Sequence, residues 1–176
     1  MTTQILLSGF GGQGILFTGK FLAYKGLLSG KNVSWLPSYG PEMRGGTASC
    51  SVIISDEEVG SPIISQPDVL IAMNLPSFEK FEPTVRAGGI VIADSSLIET
   101  KSTRTDIDVH YIPATALASD MGKQSLANMI ILGKLLSVMG DFNESNIETV
   151  LSKVIPPKKA DMLQINMKAM QIGAEN

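Results

Sequence analysis

A chain of 176 residues is long enough for one α/β domain with a substantial core and too short for two ordinary ones. Hydrophobic residues make up 44% and charged residues 18%, which excludes a disordered chain. The net charge is −3 and the longest basic run is Lys158-Lys159, which excludes a nucleic-acid binder that works through phosphate contacts.

The single cysteine, Cys50, has no partner for an internal disulfide and cannot alone hold zinc or an iron–sulfur cluster. A cytoplasmic location is expected, since Thr2-Thr3-Gln4 lacks the charged start of a signal peptide. No apolar run reaches the length of a membrane span. The mean hydropathy of +0.19 leaves two readings open. Part of the surface is buried against a partner, or the central strands are apolar on both faces.

In chain order, Gln4 to Ser8 reads as a short buried strand, followed by the glycine run Gly9-Phe-Gly-Gly-Gln-Gly14. Ile15 to Ser29 carries Leu16, Phe17, Phe21, Leu22, Leu27 and Leu28 at helical spacing, with Gly30 as a stop. Val33 to Leu36 is a second strand, completing a βαβ unit. Pro37 to Gly46 is a loop rich in glycine and proline. Thr47 to Ser55 alternates as a strand, and Val59 to Ile64 is expected to return beside it as a hairpin partner, making the sheet mixed.

Asp68 to Met73 is a buried strand, with Asn74 placed to cap a short helix over Leu75 to Phe81. Gly88 to Asp94 is a turn and a strand. Asp108 to Pro113 is a further strand, where His110, the only histidine, is read as a structural residue. Helices are expected from Ala114 to Ser119, Ser125 to Met139, Asn143 to Val154 and Asp161 to Ile172. Strands alternating with helices predict a Rossmann-like three-layer α/β/α sandwich with a mostly parallel, mixed sheet. Both glycine-rich loops follow strands, which puts them on the carboxyl edge where such folds bind ligands.

The run Gly9-x-Gly11-x-x-Gly14 has dinucleotide-fingerprint spacing and opens a helix, whose free N–H groups attract anions. A dinucleotide site also needs an acid about 20 residues on, to read the ribose. Here the second strand ends Ser34-Trp-Leu-Pro37, and no acid follows before Glu42. Three readings remain: a phosphate or other nucleotide-bearing ligand, glycines that only permit a tight turn, and, weakened by the missing acid, an NAD or FAD site. In the second loop Arg44 offers a donor fork suited to phosphate or carboxylate. Glu42 is near enough in sequence to hold Arg44, and an ion pair that merely stitches the loop is the alternative.

Taken together and in order, "GFGGQGILFTGKFLAYKG", "SYGPEMRGGTASCSVIIS", "SPIISQPDVLIAMN" and "NMIILGKLL" resemble the gamma subunit of 2-oxoacid:ferredoxin oxidoreductases. The resemblance runs to about residue 140 and implies one gamma-type domain over residues 1–176, with a helical tail from about 157. The form Tyr39-Gly-Pro-Glu-Met-Arg-Gly-Gly46 is similar to the 2-oxoglutarate and branched-chain members. Pyruvate-type gamma subunits tend to carry a second arginine where Met43 stands. Ile112-Pro-Ala-Thr115 and "LIAMN" also lean toward 2-oxoglutarate.

Enzymes of that family oxidatively decarboxylate a 2-oxo acid, pass electrons to ferredoxin and form an acyl-coenzyme A. The resemblance implies that thiamine diphosphate, magnesium and the iron–sulfur clusters belong to alpha, beta and delta partner subunits. It gives this chain a share in coenzyme A binding and active-site closure, with no activity alone.

On that reading Gly9, Gly11, Gly12, Gln13 and Gly14 form a donor-rich turn near coenzyme A phosphates or the subunit seam. Ser38, Tyr39, Glu42 and Arg44 face the catalytic subunits, with Arg44 the foremost anion contact. Asn74 either lines the same edge or only caps its helix. Three rival readings are a free-standing dinucleotide oxidoreductase, a purely structural gamma subunit and the small subunit of an indolepyruvate oxidoreductase.

Overall fold

The computed structural model describes residues 1–38 and 47–176. Its elements run β1 (Thr2–Phe10), α1 (Ile15–Leu28), β2 (Asn32–Ser38), β3 (Thr47–Ser55), β4 (Val69–Ala72) and α2 (Leu75–Phe81). They continue β5 (Ile90–Asp94), β6 (Asp108–Ile112), α3 (Ala114–Asp120), α4 (Ala127–Val138), α5 (Glu144–Val154) and α6 (Leu163–Glu175). The strands form one sheet in the order β2-β3-β1-β4-β5-β6. β1, β4, β5 and β6 are parallel neighbours, while β3 runs antiparallel between β1 and β2. The fold is thus an α/β sandwich on a mixed, mostly parallel sheet.

Two expectations are corrected. The residues from Val59 to Ile64 form no strand. Both edges of β3 are already bonded, to β1 and β2, so no ladder is left for a hairpin partner. The sheet is mixed because β3 itself is inserted antiparallel. The second correction follows from the first. β1-α1-β2 keeps its parallel sense, but β2 lies beyond β3, about 10 Å from β1 instead of one strand spacing.

The two faces of the sheet are covered unequally. On one, Ile5, Leu7, Cys50, Val52, Ile71 and Ile92 meet side chains of α1, α3, α4, α5 and α6. On the other, Leu6, Leu70, Ala72, Val91 and Ala93 meet Phe78 of α2, Val85 and Ile98. β4 is buried along its whole length, which accounts for its unbroken apolar run. Leu27 and Leu28, at the end of α1, are by contrast about half exposed and take no part in the core.

α4 is buried on nearly every side, with Met129 to Leu132, Leu135 and Leu136 all enclosed. It begins after a 3-10 turn at Gln124–Leu126, so it is shorter than its apolar run. α6 likewise follows a 3-10 turn at Pro157–Met162 and runs to Glu175, three residues past the sequence estimate. The two helices approach so closely that a Cβ on Gly133 would stand 1.9 Å from the Met170 carbonyl oxygen. One on Gly173 would stand 1.8 Å from the Ile130 oxygen. Side chains cannot enter such a seam, so the glycines set its depth. No helix among the described residues is long and apolar enough to cross a membrane.

Candidate functional site

The chain leaves β1 toward β2 through α1 and leaves β4 toward β5 through α2, on opposite faces of the sheet. The point between β1 and β4 is therefore a topological switch point, and a crevice opens there at the carboxyl ends of the strands. A cleft of about 360 Å³ fills it, lined by Gly12, Gln13, Met73, Leu97, Thr115, Gln124, Ser125 and Ala127. Each parallel strand thus delivers residues to one wall. β1 gives the glycine loop, β4 gives Met73, β5 gives Leu97 and β6 gives Thr115, while the approach to α4 closes the end. A second cleft of about 260 Å³ lies on the outer side of the loop, lined by Phe10, Gly11, Gly12, Gly14, Ile15, Leu16, Phe17 and Ala48.

Gln13 holds the loop between them. Its Oε1 accepts from the Phe10 N–H at 2.6 Å, and its Nε2 donates to the Met73 carbonyl at 3.1 Å. Its own N–H closes a turn onto the Phe10 carbonyl at 3.2 Å. The amide of Gln13 is therefore engaged within the protein, and it ties the end of β1 to the end of β4. Gly12 and Gly14 both have positive φ, 89° and 77°, which permits the path.

Gly14 is the N-cap of α1, with no side-chain cap and no acid in the first turn. Its carbonyl accepts from Thr18 Oγ1 at 3.1 Å and from Asn128 Nδ2 at 3.3 Å. The loop is thus fastened, while the first turn of α1 has neither a side-chain cap nor an acid to offset its dipole.

Ser38 ends β2 opposite Ser49 on β3 and lines neither cleft. Tyr39, Glu42 and Arg44 lie outside the described residues. Asn74 is buried and caps α2, its Oδ1 accepting from the Ser77 N–H at 2.8 Å. Its neighbour Met73 lines the cleft instead. His110 sits on β6 with Nε2 2.8 Å from Asp108 Oδ2, and it lines neither cleft.

Sequence reading missed Leu97, Thr115, Gln124, Ser125 and Asn128 as site residues. Asn128 is buried, and a Cβ on Gly14 would lie 2.2 Å from its Nδ2. Its place at the head of "NMIILGKLL" was the available signal. The others come from segments remote in sequence, which only the parallel sheet gathers.

Burial pushes the Cys50 thiol up to about 12, against a weaker opposing effect of the Trp35 hydrogen bond. Among the described residues no three His, Cys, Asp or Glu side chains come together as ligands. β2, whose end carries the ribose acid in a dinucleotide-binding fold, is here displaced from β1 by β3.

The family profile described as pyruvate ferredoxin/flavodoxin oxidoreductase matches residues 4–176. The ketoisovalerate oxidoreductase subunit VorA of Methanothermobacter marburgensis is 37% identical over 173 residues, covering 98% of this chain and 36% of that one. The chain therefore spans about a third of the length of that relative. The 2-oxoglutarate synthase subunit KorC of Methanocaldococcus jannaschii is 34% identical over 159 residues, covering 89% of this chain and 85% of the relative.

Among solved structures, a keto/oxoacid ferredoxin oxidoreductase gamma subunit from Geobacter sulfurreducens superposes with a TM-score of 0.81 at 28% identity. The coverage is 98% of this chain and 96% of that one. A 2-oxoglutarate:ferredoxin oxidoreductase from Magnetococcus marinus, solved with 2-oxoglutarate, coenzyme A and succinyl-CoA, gives a TM-score of 0.85 at 25% identity. There the match covers 99% of this chain and 31% of the other. With a profile matched over almost its whole length and relatives above 30% identity, this chain belongs to the pyruvate ferredoxin/flavodoxin oxidoreductase family.

Proposed function

We propose that the chain is the gamma-type subunit of a 2-oxoacid:ferredoxin oxidoreductase. Its part is to bind coenzyme A at the glycine-loop edge and help close the active site formed with larger subunits. The observation that carries this is the uncapped N-terminus of α1, placed between two clefts at the switch point of a gamma-subunit fold. A coenzyme A phosphate fits there. On this reading unbonded N–H groups of the loop donate to it, the dipole of α1 favours its charge, and the positive-φ glycines let the backbone approach. Bound coenzyme A supplies the thiol that accepts the acyl group. This chain's residues bind and orient the cofactor and narrow its route to water. Arg44, next to this edge in the sequence, supplies the matching cation.

We assign thiamine diphosphate, magnesium and the clusters to alpha, beta and delta partners, with ferredoxin as the acceptor. The substrate is 2-oxoglutarate on this reading. KorC and the Magnetococcus enzyme support it, while VorA supports a branched-chain 2-oxo acid as the second candidate.

The test is affinity purification of the tagged chain under strict anaerobiosis, with the eluate assayed for coenzyme-A-dependent dye reduction on several 2-oxo acids. Larger subunits in the eluate, with 2-oxoglutarate as the best substrate, support both parts. Elution alone and without activity overturns the subunit reading. Faster turnover of 3-methyl-2-oxobutanoate moves the substrate to the branched-chain class. Arg44→Ala raises KM for coenzyme A with little change for the 2-oxo acid; an equal loss for both, with subunits separating, makes Arg44 an interface residue.

A further inference from the structure

Asp94 is fully buried at the carboxyl end of β5, behind the wall of the larger cleft. Its Oδ1 accepts from the Ser96 N–H at 3.0 Å and the Thr115 N–H at 3.4 Å. Its Oδ2 accepts from the hydroxyl of Thr115 at 2.5 Å. A carboxylate has only lone pairs to offer, so the hydroxyl hydrogen of Thr115 is fixed toward Asp94. Thr115 lines the cleft, and what its hydroxyl can offer a ligand there is lone pairs alone. Across the cleft, the glycine loop brings Gly12 and Gln13, and the side-chain amide of Gln13 is already engaged within the protein. The β6 side of the cleft therefore offers a hydroxyl held in one sense, as an acceptor.

We infer that Asp94 is a positioning residue that sets Thr115 Oγ1 as a fixed acceptor, selecting a ligand with an N–H or O–H group opposite its anionic end. This rests on reading the cleft as a coenzyme A site. Coenzyme A has such groups in the amides and hydroxyl of its pantetheine arm and in its adenine amine. A cleft of free rotors would reorient to suit donor or acceptor alike. This one cannot, because the partner of Thr115 is a buried carboxylate already fixed by two backbone N–H groups.

The test is calorimetric titration of coenzyme A into the intact anaerobic complex without 2-oxo acid, with thermal stability measured in parallel. Thr115→Val removes the acceptor while keeping the shape, and weakens binding about five- to tenfold. Asp94→Asn can donate its amide hydrogen to Thr115 Oγ1, turning the hydroxyl outward as a donor. It weakens binding to a similar degree, and Asp94→Asn with Thr115→Val is no worse than Thr115→Val alone. Thr115→Ser keeps the hydroxyl and stays within about twofold of the parent.

A merely structural Asp94 would lower stability without the rescue by serine or the non-additivity. Ser125→Trp blocks the cleft from its exposed end and separates the two claims. If it abolishes binding while Thr115→Val leaves affinity unchanged, the assignment of Asp94 is overturned and the cleft stands. If Ser125→Trp binds coenzyme A normally, the cleft reading itself is overturned.

Discussion

The glycine loop at the head of α1 and the seam between α4 and α6 both depend on glycine, for opposite reasons. In the loop, Gly12 needs its positive φ, and a Cβ there would meet nothing within 4 Å. In the seam, Gly133 and Gly173 lie within ordinary helices, and a Cβ at either would meet the backbone of the facing helix. One region uses glycine to bend the chain and leave room, the other to remove room. Empty space beside Gly12, at the edge of both clefts, leaves room for a ligand. Filled space marks architecture. Gly14 belongs to both classes, with positive φ and the Asn128 amide against it.

The largest effect falls in the seam. Gly173→Val drives a side chain into the Ile130 carbonyl, and neither backbone can yield without parting the helices. A loss of at least about 3 kcal/mol is expected, lowering Tm by roughly 6–12 °C. Calorimetry checks it, and a change under about 2 °C would mean that the seam is looser than its geometry states.

Gly14→Ala comes next, at about 2–3 kcal/mol, since it adds left-handed strain to the collision with Asn128. Combining it with Asn128→Ala separates the two. The clash goes and about 1–2 kcal/mol of strain remains beyond the loss from Asn128→Ala alone. Additive losses would show that Asn128 does not press on the loop.

Gly12→Ala has strain and no clash, so its stability cost is smaller, about 1 kcal/mol. Its mark should instead be on ligand affinity, because the added methyl stands in open space between the two clefts. Weaker coenzyme A binding with Tm lowered by only about 2–4 °C places Gly12 in the class that leaves room. A large Tm loss with intact affinity would move it to the architectural class.

The same division explains what the sequence disclosed. The order of elements and the glycine turn were legible because they follow from local pattern, namely apolar spacing, glycine stops and the Asn74 and Asn143 caps. The insertion of β3 between β1 and β2 was not, since Thr47 to Ser55 alternates in the same way whichever strands flank it. Gly133 and Gly173 gave no signal either. An isolated glycine in a helical run looks like a weak spot until its facing helix is known. At the site, the residues contiguous with the loop were legible, whereas Thr115, Leu97 and Ser125 meet it only because parallel strands end at one edge. Asp94 read as the end of a strand, and its bond to Thr115 crosses 21 positions.

A third kind of glycine lies between the two classes and produces the smallest effect. A Cβ on Gly19 of α1 would stand 2.5 Å from Cys50 Sγ and 3.1 Å from Trp35 Nε1, so α1 rests on β3 and β2 through side chains that can give. Cys50 reports on that contact without substitution. With its thiol at about 12, the thiolate fraction at pH 8 is on the order of 10⁻⁴, and the sulfur is buried as well. Iodoacetamide at pH 8 should therefore leave the folded chain unmodified over hours, while the chain in denaturant reacts within minutes. Gly19→Ala should raise the rate in the folded state only slightly, because the sulfur can swing aside without lifting the helix. Native alkylation within about tenfold of the denatured rate would show that α1 opens often. A rise as large for Gly19→Ala as for Gly173→Val would mean that a side-chain contact is as unyielding as a backbone one, and the distinction between the regions would fail.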